Sequence, residues 1–473
     1  MKQLLRGGTV VSGEGQRVQD ILIEDGKILE VGENLQDSGR DAEVTDVSKK
    51  LIFPGFIDGH THMHLEVSGT VTADLFDTGT RAELAGGTTC IVDFATQNRG
   101  ESLAEALENW HKKADGECSC DYAFHLAISD WNERISEELE TVVSSGIRSF
   151  KLYMVYDAMM VDDQSMYEIL SRLKELGGIA GVHCENSGIV KARLEEIKRK
   201  EGGRRDVEDY PGTRPALAEA EAVNRLLKIA RCVDTPVIVV HLSSQEGYEE
   251  VQKAREKGQK VYVETCPQYL LLDEGRYQAG GLEARKYMIA PPLRTKKDQE
   301  VLWQALAGEQ IQTVATDHCS FTLEQKEMGK DDFSMTPCGM PGAQERPTLI
   351  YHYGVRGGRI TLEQMCRCLS ENPAKLYGLY PKKGVIAPGS DADLVVWDPQ
   401  AKWTLQSKEL QSASDYCPYE GTSLSGRAEK VYLRGELAAE NGKIIKEYQG
   451  QYVRACERVS ENSFLPSAHG RQG

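Results

Sequence analysis

Short apolar runs and longer amphipathic stretches alternate through the middle of this chain. The apolar runs fall at residues 52–58, 89–95, 123–129, 148–154, 179–184, 237–243, 260–265 and 313–317. Helix-like segments lie between them at 102–114, 133–144, 164–176, 216–230 and 246–257. Eight β runs, mostly separated by helical ones, predict an α/β chain folded as a (β/α)8 TIM barrel over residues 53–383, roughly 330 residues with insertions. A doubly wound open sheet would instead require a Gly-rich phosphate loop after the first strand, and none is present.

The two ends have a different texture. Short strand-like runs at 4–6, 9–11, 20–24 and 28–31 are joined by tight turns, among them the Asp25-Gly26 hairpin signal. Similar runs return at 384–397, 431–437 and 442–445. The pattern predicts a small β-sandwich domain built from both termini, residues 1–52 and 384–450, with 451–473 as a C-terminal arm onto a neighbour or a tail.

Composition narrows the class. Of 473 residues, 40% are hydrophobic and 27% charged, as in ordinary soluble domains. The net charge of −17 argues against nucleic-acid binding, which needs a basic footprint. The first residues contain no apolar leader-like segment and no stretch approaches eighteen apolar residues, so the expected location is cytoplasmic, away from membranes. The twelve cysteines are expected as reduced thiols. Neither Cys118-Ser119-Cys120 nor Cys366-Arg367-Cys368 has a second pair at zinc-knuckle spacing.

The candidate chemistry gathers at strand ends. Asp58-Gly59-His60-Thr61-His62 closes the first barrel run, and alternate residues of a strand share a face, so His60 and His62 can converge on one ion. Lys151 lies in the fourth run, His183 ends the fifth, His241 follows the sixth and Asp317 the eighth. These are C-terminal strand ends, where barrel active sites are built. Lys151 needs its own account, since an ammonium cannot ligate a metal and is costly to bury alone. Either it pairs with a carboxylate, Asp317 or Glu185, or its amine is converted by CO2 to a carbamate with two oxygen donors.

His60-x-His62, Lys151, His183, His241 and Asp317 resemble the metal motif of the amidohydrolase superfamily, and more specifically its cyclic amidases, the hydantoinases and dihydropyrimidinases. The likeness extends through Gly69-Thr70-Val71-Thr72-Ala73-Asp74, Glu264-Thr265-Cys266-Pro267-Gln268-Tyr269-Leu270, Pro291-Pro292-Leu293-Arg294, Glu371-Asn372-Pro373-Ala374-Lys375 and Gly389-Ser390-Asp391-Ala392-Asp393. The resemblance implies two divalent metal ions, usually zinc, bridged by N6-carboxylated Lys151. One ion would take His60, His62 and Asp317, the other His183 and His241. It further implies Asp317 as general base, Tyr156 as donor to the developing oxyanion, a small cyclic ureide or imide as substrate, an N-carbamoyl amino acid as product, and a homotetramer.

The chain departs from relatives where they grip the ring. Main-chain groups of a serine and an asparagine hold it in the family; here those positions are Ala290 and Cys338. The first loop, with Leu65 and Glu66, would line the pocket for the ring substituent, where Glu66 would favour a polar or cationic group unless it is a solvated loop carboxylate. His64 reads as a loop residue. Allantoinase and dihydroorotase are neighbouring readings, the second weakened because His64 stands where dihydroorotases place an arginine. A mononuclear deaminase would give Lys151 no role, and a non-catalytic assembly protein of the same fold would not need all six ligands.

Overall fold

The computed structural model describes residues 2–35, 42–199 and 206–456. Eight parallel strands run in sequence order through one sheet: β1 (Phe56–Thr61), β2 (Thr88–Thr96), β3 (Asp121–Ala127), β4 (Ser149–Tyr153), β5 (Ile179–His183), β6 (Val237–Val239), β7 (Val261–Thr265) and β8 (Thr313–Val314). The ends of the sheet meet through a bridge between Thr61 and His318, where the His62 N–H donates to the His318 carbonyl at 2.8 Å. The result is the TIM barrel expected from the pattern. Its strands are almost wholly buried because helices cover their outer faces, which is why they read as apolar runs rather than alternating ones.

The helices start where the sequence offers a cap. Ser102 and Glu105 form a reciprocal capping box at Leu103–Ala114, while Asn132 and Asp162 each accept a main-chain N–H at the start of Glu133–Ser144 and Asp163–Leu176. Their buried faces and the outer faces of the strands make one large core. A smaller cluster joins Ile57, Val92, Ala123, Ile238 and Tyr262 to the returning segment at Ala374, Leu376, Tyr377 and Leu379.

Two strands, the sixth and the eighth, end well before their apolar runs do. The sixth run extends to residue 243 but pairing stops at Val239, and the eighth extends to 317 but pairing stops at Val314. The chain turns out of the β region at His241 (φ 38°) and Asp317 (φ 52°), and a strand ladder cannot continue through left-handed backbone.

The two ends of the chain share a second sheet of nine strands. Leu51–Pro54 pairs antiparallel with Leu394–Thr404, which joins the N-terminal strands to the C-terminal ones. Residues 451–456 run back along the barrel, with Val453 donating to the Tyr122 carbonyl at 2.8 Å; residues 457–473 of the expected arm or tail lie outside the described residues.

A buried charge cluster ties sheet to barrel. Lys383, 2% exposed, contacts Asp391 at 2.9 Å, Asp393 at 2.6 Å and Asp121 at the start of β3, and Arg434 also reaches Asp121. Removing the central cation strands carboxylates in a dry site. Lys383→Met is therefore expected to lower stability by about 3–5 kcal/mol, read as a lower denaturant midpoint at unchanged slope; an unchanged midpoint would show that the cluster does not couple the two parts.

Candidate metal centre

Donors from five strand ends converge at the C-terminal rim of the barrel. His60, His241 and Asp317 form the tightest group, with one donor atom from each lying within 4.8 Å of the others. Asp317 Oδ1 is 3.2 Å from both His60 Nε2 and His62 Nε2. His183 joins through His241, their ring centroids 4.5 Å apart. Lys151 reaches between them, its Nζ 3.4 Å from His60 Nε2.

Local sequence explains this placement. Gly59 lies between Asp58 and His60 because a Cβ there would be 2.4 Å from the Tyr377 ring. Asp58 accepts the N–H of His60 at 3.2 Å and of Thr316 at 3.1 Å, so it fixes the main chain of β1 against the chain leaving β8 rather than orienting an imidazole. The register of β4 and β5 sets Gly181 opposite Lys151 and His183 opposite Tyr153. The positive φ of His241 and Asp317 turns their side chains from the ladder, and Tyr156 (φ 74°) sits in the same kind of backbone after β4.

Carboxylates behind the rings decide which nitrogens face inward. Glu264 on β7 is fully buried and takes His60 Nδ1 at 2.6 Å, which leaves Nε2 for the centre. Glu185 takes His183 Nε2 at 2.7 Å and leaves Nδ1; Arg214 pairs with the same carboxylate. Burial, with the neighbouring cation and imidazoles, pulls His60 and His241 well below the ordinary histidine range, and burial lowers His183 too. Neutral imidazoles with one nitrogen anchored are the form that ligates a metal. His62 Nδ1 and His241 Nδ1 are buried without a hydrogen-bond partner among the described residues.

Lys151 is the oddest member. It is 1% exposed, lies 4.9 Å over the Phe94 ring and 5.3 Å over the Tyr153 ring, and burial pushes it down to about 8 despite the pull of Asp317 and Glu264. Neither partner considered for it forms an ion pair with it: Asp317 lies against His60 and His62, and Glu185 against His183 and Arg214.

These residues floor a cleft of about 680 Å³ that is also lined by Leu65, Glu66, Tyr156, Ala290 and Cys338. Burial raises the Tyr156 phenol, which stays protonated; its ring lies 5.3 Å from that of His183, and Arg214 stacks over it at 5.3 Å. Glu66 is on the rim, its side chain 76% exposed and 3.8 Å from Lys113 Nζ, so it is at once a solvated carboxylate and a wall of the cleft. His64 is not among the lining residues.

Little in the sequence marks the orienting roles of Glu264 and Glu185, and nothing points to Arg214 beside them. The available signal was a carboxylate inside the apolar run Val261-Tyr262-Val263-Glu264, which burial allows only with a partner.

Residues 51–438 match the amidohydrolase family. The chain is 42% identical over 461 residues to a D-hydantoinase of Geobacillus stearothermophilus, covering 97% of each chain. It is 38% identical to a dihydropyrimidinase of Dictyostelium discoideum over 93% of this chain and 88% of that one. Among solved structures, a dihydropyrimidinase from Brevibacillus agri superposes with a TM-score of 0.93 at 41% identity, covering 96% of this chain and 99% of the other. Together with the His and Asp cluster, the likeness points to a divalent metal at the rim. The chain belongs to the amidohydrolase family, within its hydantoinase and dihydropyrimidinase branch.

Proposed function

We propose that this protein is a metal-dependent cyclic amidase that opens the ring amide of hydantoins or dihydropyrimidines to give N-carbamoyl amino acids. The observation that carries the reading is the convergence of four histidines and Asp317 around a buried lysine amine that, among the described residues, has no ion pair. Relatives named for hydantoin and dihydropyrimidine chemistry, alike over nearly the full chain, support the substrate class.

The residues fit a pair of divalent ions, usually zinc in this family. His60, His62 and Asp317 would hold one ion and His183 and His241 the other, with N6-carboxylated Lys151 as the shared ligand. The low-polarity pocket favours the neutral amine of Lys151. Its lone pair adds to the carbon of CO2: a N–C bond forms as one C=O π bond opens, and one proton leaves to solvent, so a neutral amine becomes an anion with two donor oxygens. Metal held by these residues would supply Lewis-acid polarisation of the ring carbonyl and a lowered pKa for water at the site.

The remaining roles belong to the chain itself. Glu264 and Glu185 keep His60 and His183 in the required tautomers. Asp317 accepts the proton of the attacking water and passes it to the departing ring nitrogen. Tyr156, kept protonated by burial, donates to the oxygen on which negative charge develops. Main-chain groups at Ala290 and Cys338 grip the ring, and the substituent points toward Leu65 and Glu66. The reading includes a homotetramer in the cytoplasm; no helix of the described residues is long and apolar enough to cross a membrane.

A turnover panel on metal-loaded protein tests the function. Dihydrouracil and 5-substituted hydantoins are expected to be opened faster than allantoin or dihydroorotate; preferred turnover of either of the last two would move the protein to a neighbouring activity. Tyr156→Phe is expected to lower kcat by about 10²–10³ with metal content unchanged, and loss of metal from that variant would show that the residue supports the centre instead.

A further inference from the structure

One buried cation takes no part in the chemistry above. Lys326 ends the short helix Leu323–Lys326 beyond β8, and it is 0% exposed. Among the described residues no carboxylate forms an ion pair with it. Its Nζ instead donates to three main-chain carbonyls: Met288 at 3.2 Å, Pro337 at 2.7 Å and Gly339 at 2.7 Å. An ammonium has three donors and no acceptor, so this set saturates it.

Those carbonyls belong to the two segments that supply Ile289, Ala290, Cys338 and Gly339 to the cleft wall. The segments are also tied directly. The Gly339 N–H donates to the Met288 carbonyl at 2.8 Å, and the buried Tyr210 hydroxyl donates to the Ile289 carbonyl at 2.7 Å while lying 3.5 Å from Cys338 Sγ. Gln325, next to Lys326, holds Thr70 Oγ1 at 2.8 Å and the Val71 carbonyl at 2.7 Å, so the same short helix also anchors the first loop.

Peptide planarity turns this anchoring into aim. In a trans peptide the C=O and the following N–H point in opposite directions. A Pro337 carbonyl drawn to Lys326 therefore faces the Cys338 N–H the other way, and among the described residues no protein group accepts that N–H. The loop has little room to re-aim: a Cβ on Gly339 would stand 2.3 Å from the Cys319 carbonyl oxygen.

We propose that Lys326 is a positioning residue for ring binding, which holds both wall segments by their carbonyls and so directs the Cys338 N–H at the substrate ring without touching it. The proposal rests on the reading that this cleft opens cyclic amides. The donors of the metal centre are carried by strand ends that Lys326 does not touch, so its loss should fall on substrate affinity and spare the metal.

The test uses the metal-loaded full chain and hydantoin, with kcat, KM and metal content measured for wild type and Lys326→Met. The expected result is a KM raised about tenfold, kcat changed less than about threefold, and unchanged metal content. An unchanged KM, or a loss of kcat and metal together, overturns the proposal. If Lys326→Met does not fold, Tyr210→Phe decides, because it removes only a hydroxyl from the second tie between the segments: a raised KM at full metal content supports the proposal and an unchanged KM overturns it. A wild-type chain that opens no ring rejects the functional reading, and the ring-positioning role falls with it.

Discussion

A lysine amine enclosed by imidazoles and aromatic faces, with no ion pair among the described residues to settle its charge, is the constraint around which the rim of this barrel is arranged. As a cation Lys151 would be costly in such surroundings, and burial already draws it toward the neutral amine. Under the proposed reading, conversion to an anion shared between cations would remove the conflict. It would also give His60, His62, His183, His241 and Asp317 a common purpose, where any one of them alone would be an ordinary buried polar residue.

The surroundings show how much structure is committed to that arrangement. Glu264 and Glu185 are buried carboxylates whose hydrogen bonds select one nitrogen of His60 and His183. His241, Asp317 and Tyr156 are held in left-handed backbone, a conformation that costs about 1–3 kcal/mol per residue when a side chain is present. Asp58 locks the main chain of β1 to that leaving β8, where the barrel closes. Strain and buried charge at the rim are offset by the large apolar core between strands and helices.

Much of this was legible in the residues. The barrel could be read because strands buried on both faces leave uninterrupted apolar runs, and the two-ended sheet because turn signals frame its strands. His60 and His62 announced themselves by alternation, and the other donors by lying at the ends of such runs. What stayed hidden depended on contacts between distant segments. The role of Glu264 is one of these, since only the fold brings it to His60, 204 positions away. The early ends of β6 and β8 follow from left-handed turns at His241 and Asp317, which no propensity marks. The role of Lys326 has no mark in the sequence, because its partners are main-chain carbonyls that sequence does not display.

The central claim is that Lys151 carries a carbamate shared by two ions. A crystal structure of the metal-loaded protein, with anomalous maps collected on both sides of the metal absorption edge, tests it most directly. The account predicts a pair of anomalous peaks, one beside His60, His62 and Asp317 and one beside His183 and His241, with density for a carboxylated Lys151 reaching both. A single peak beside an unmodified Lys151 would contradict it.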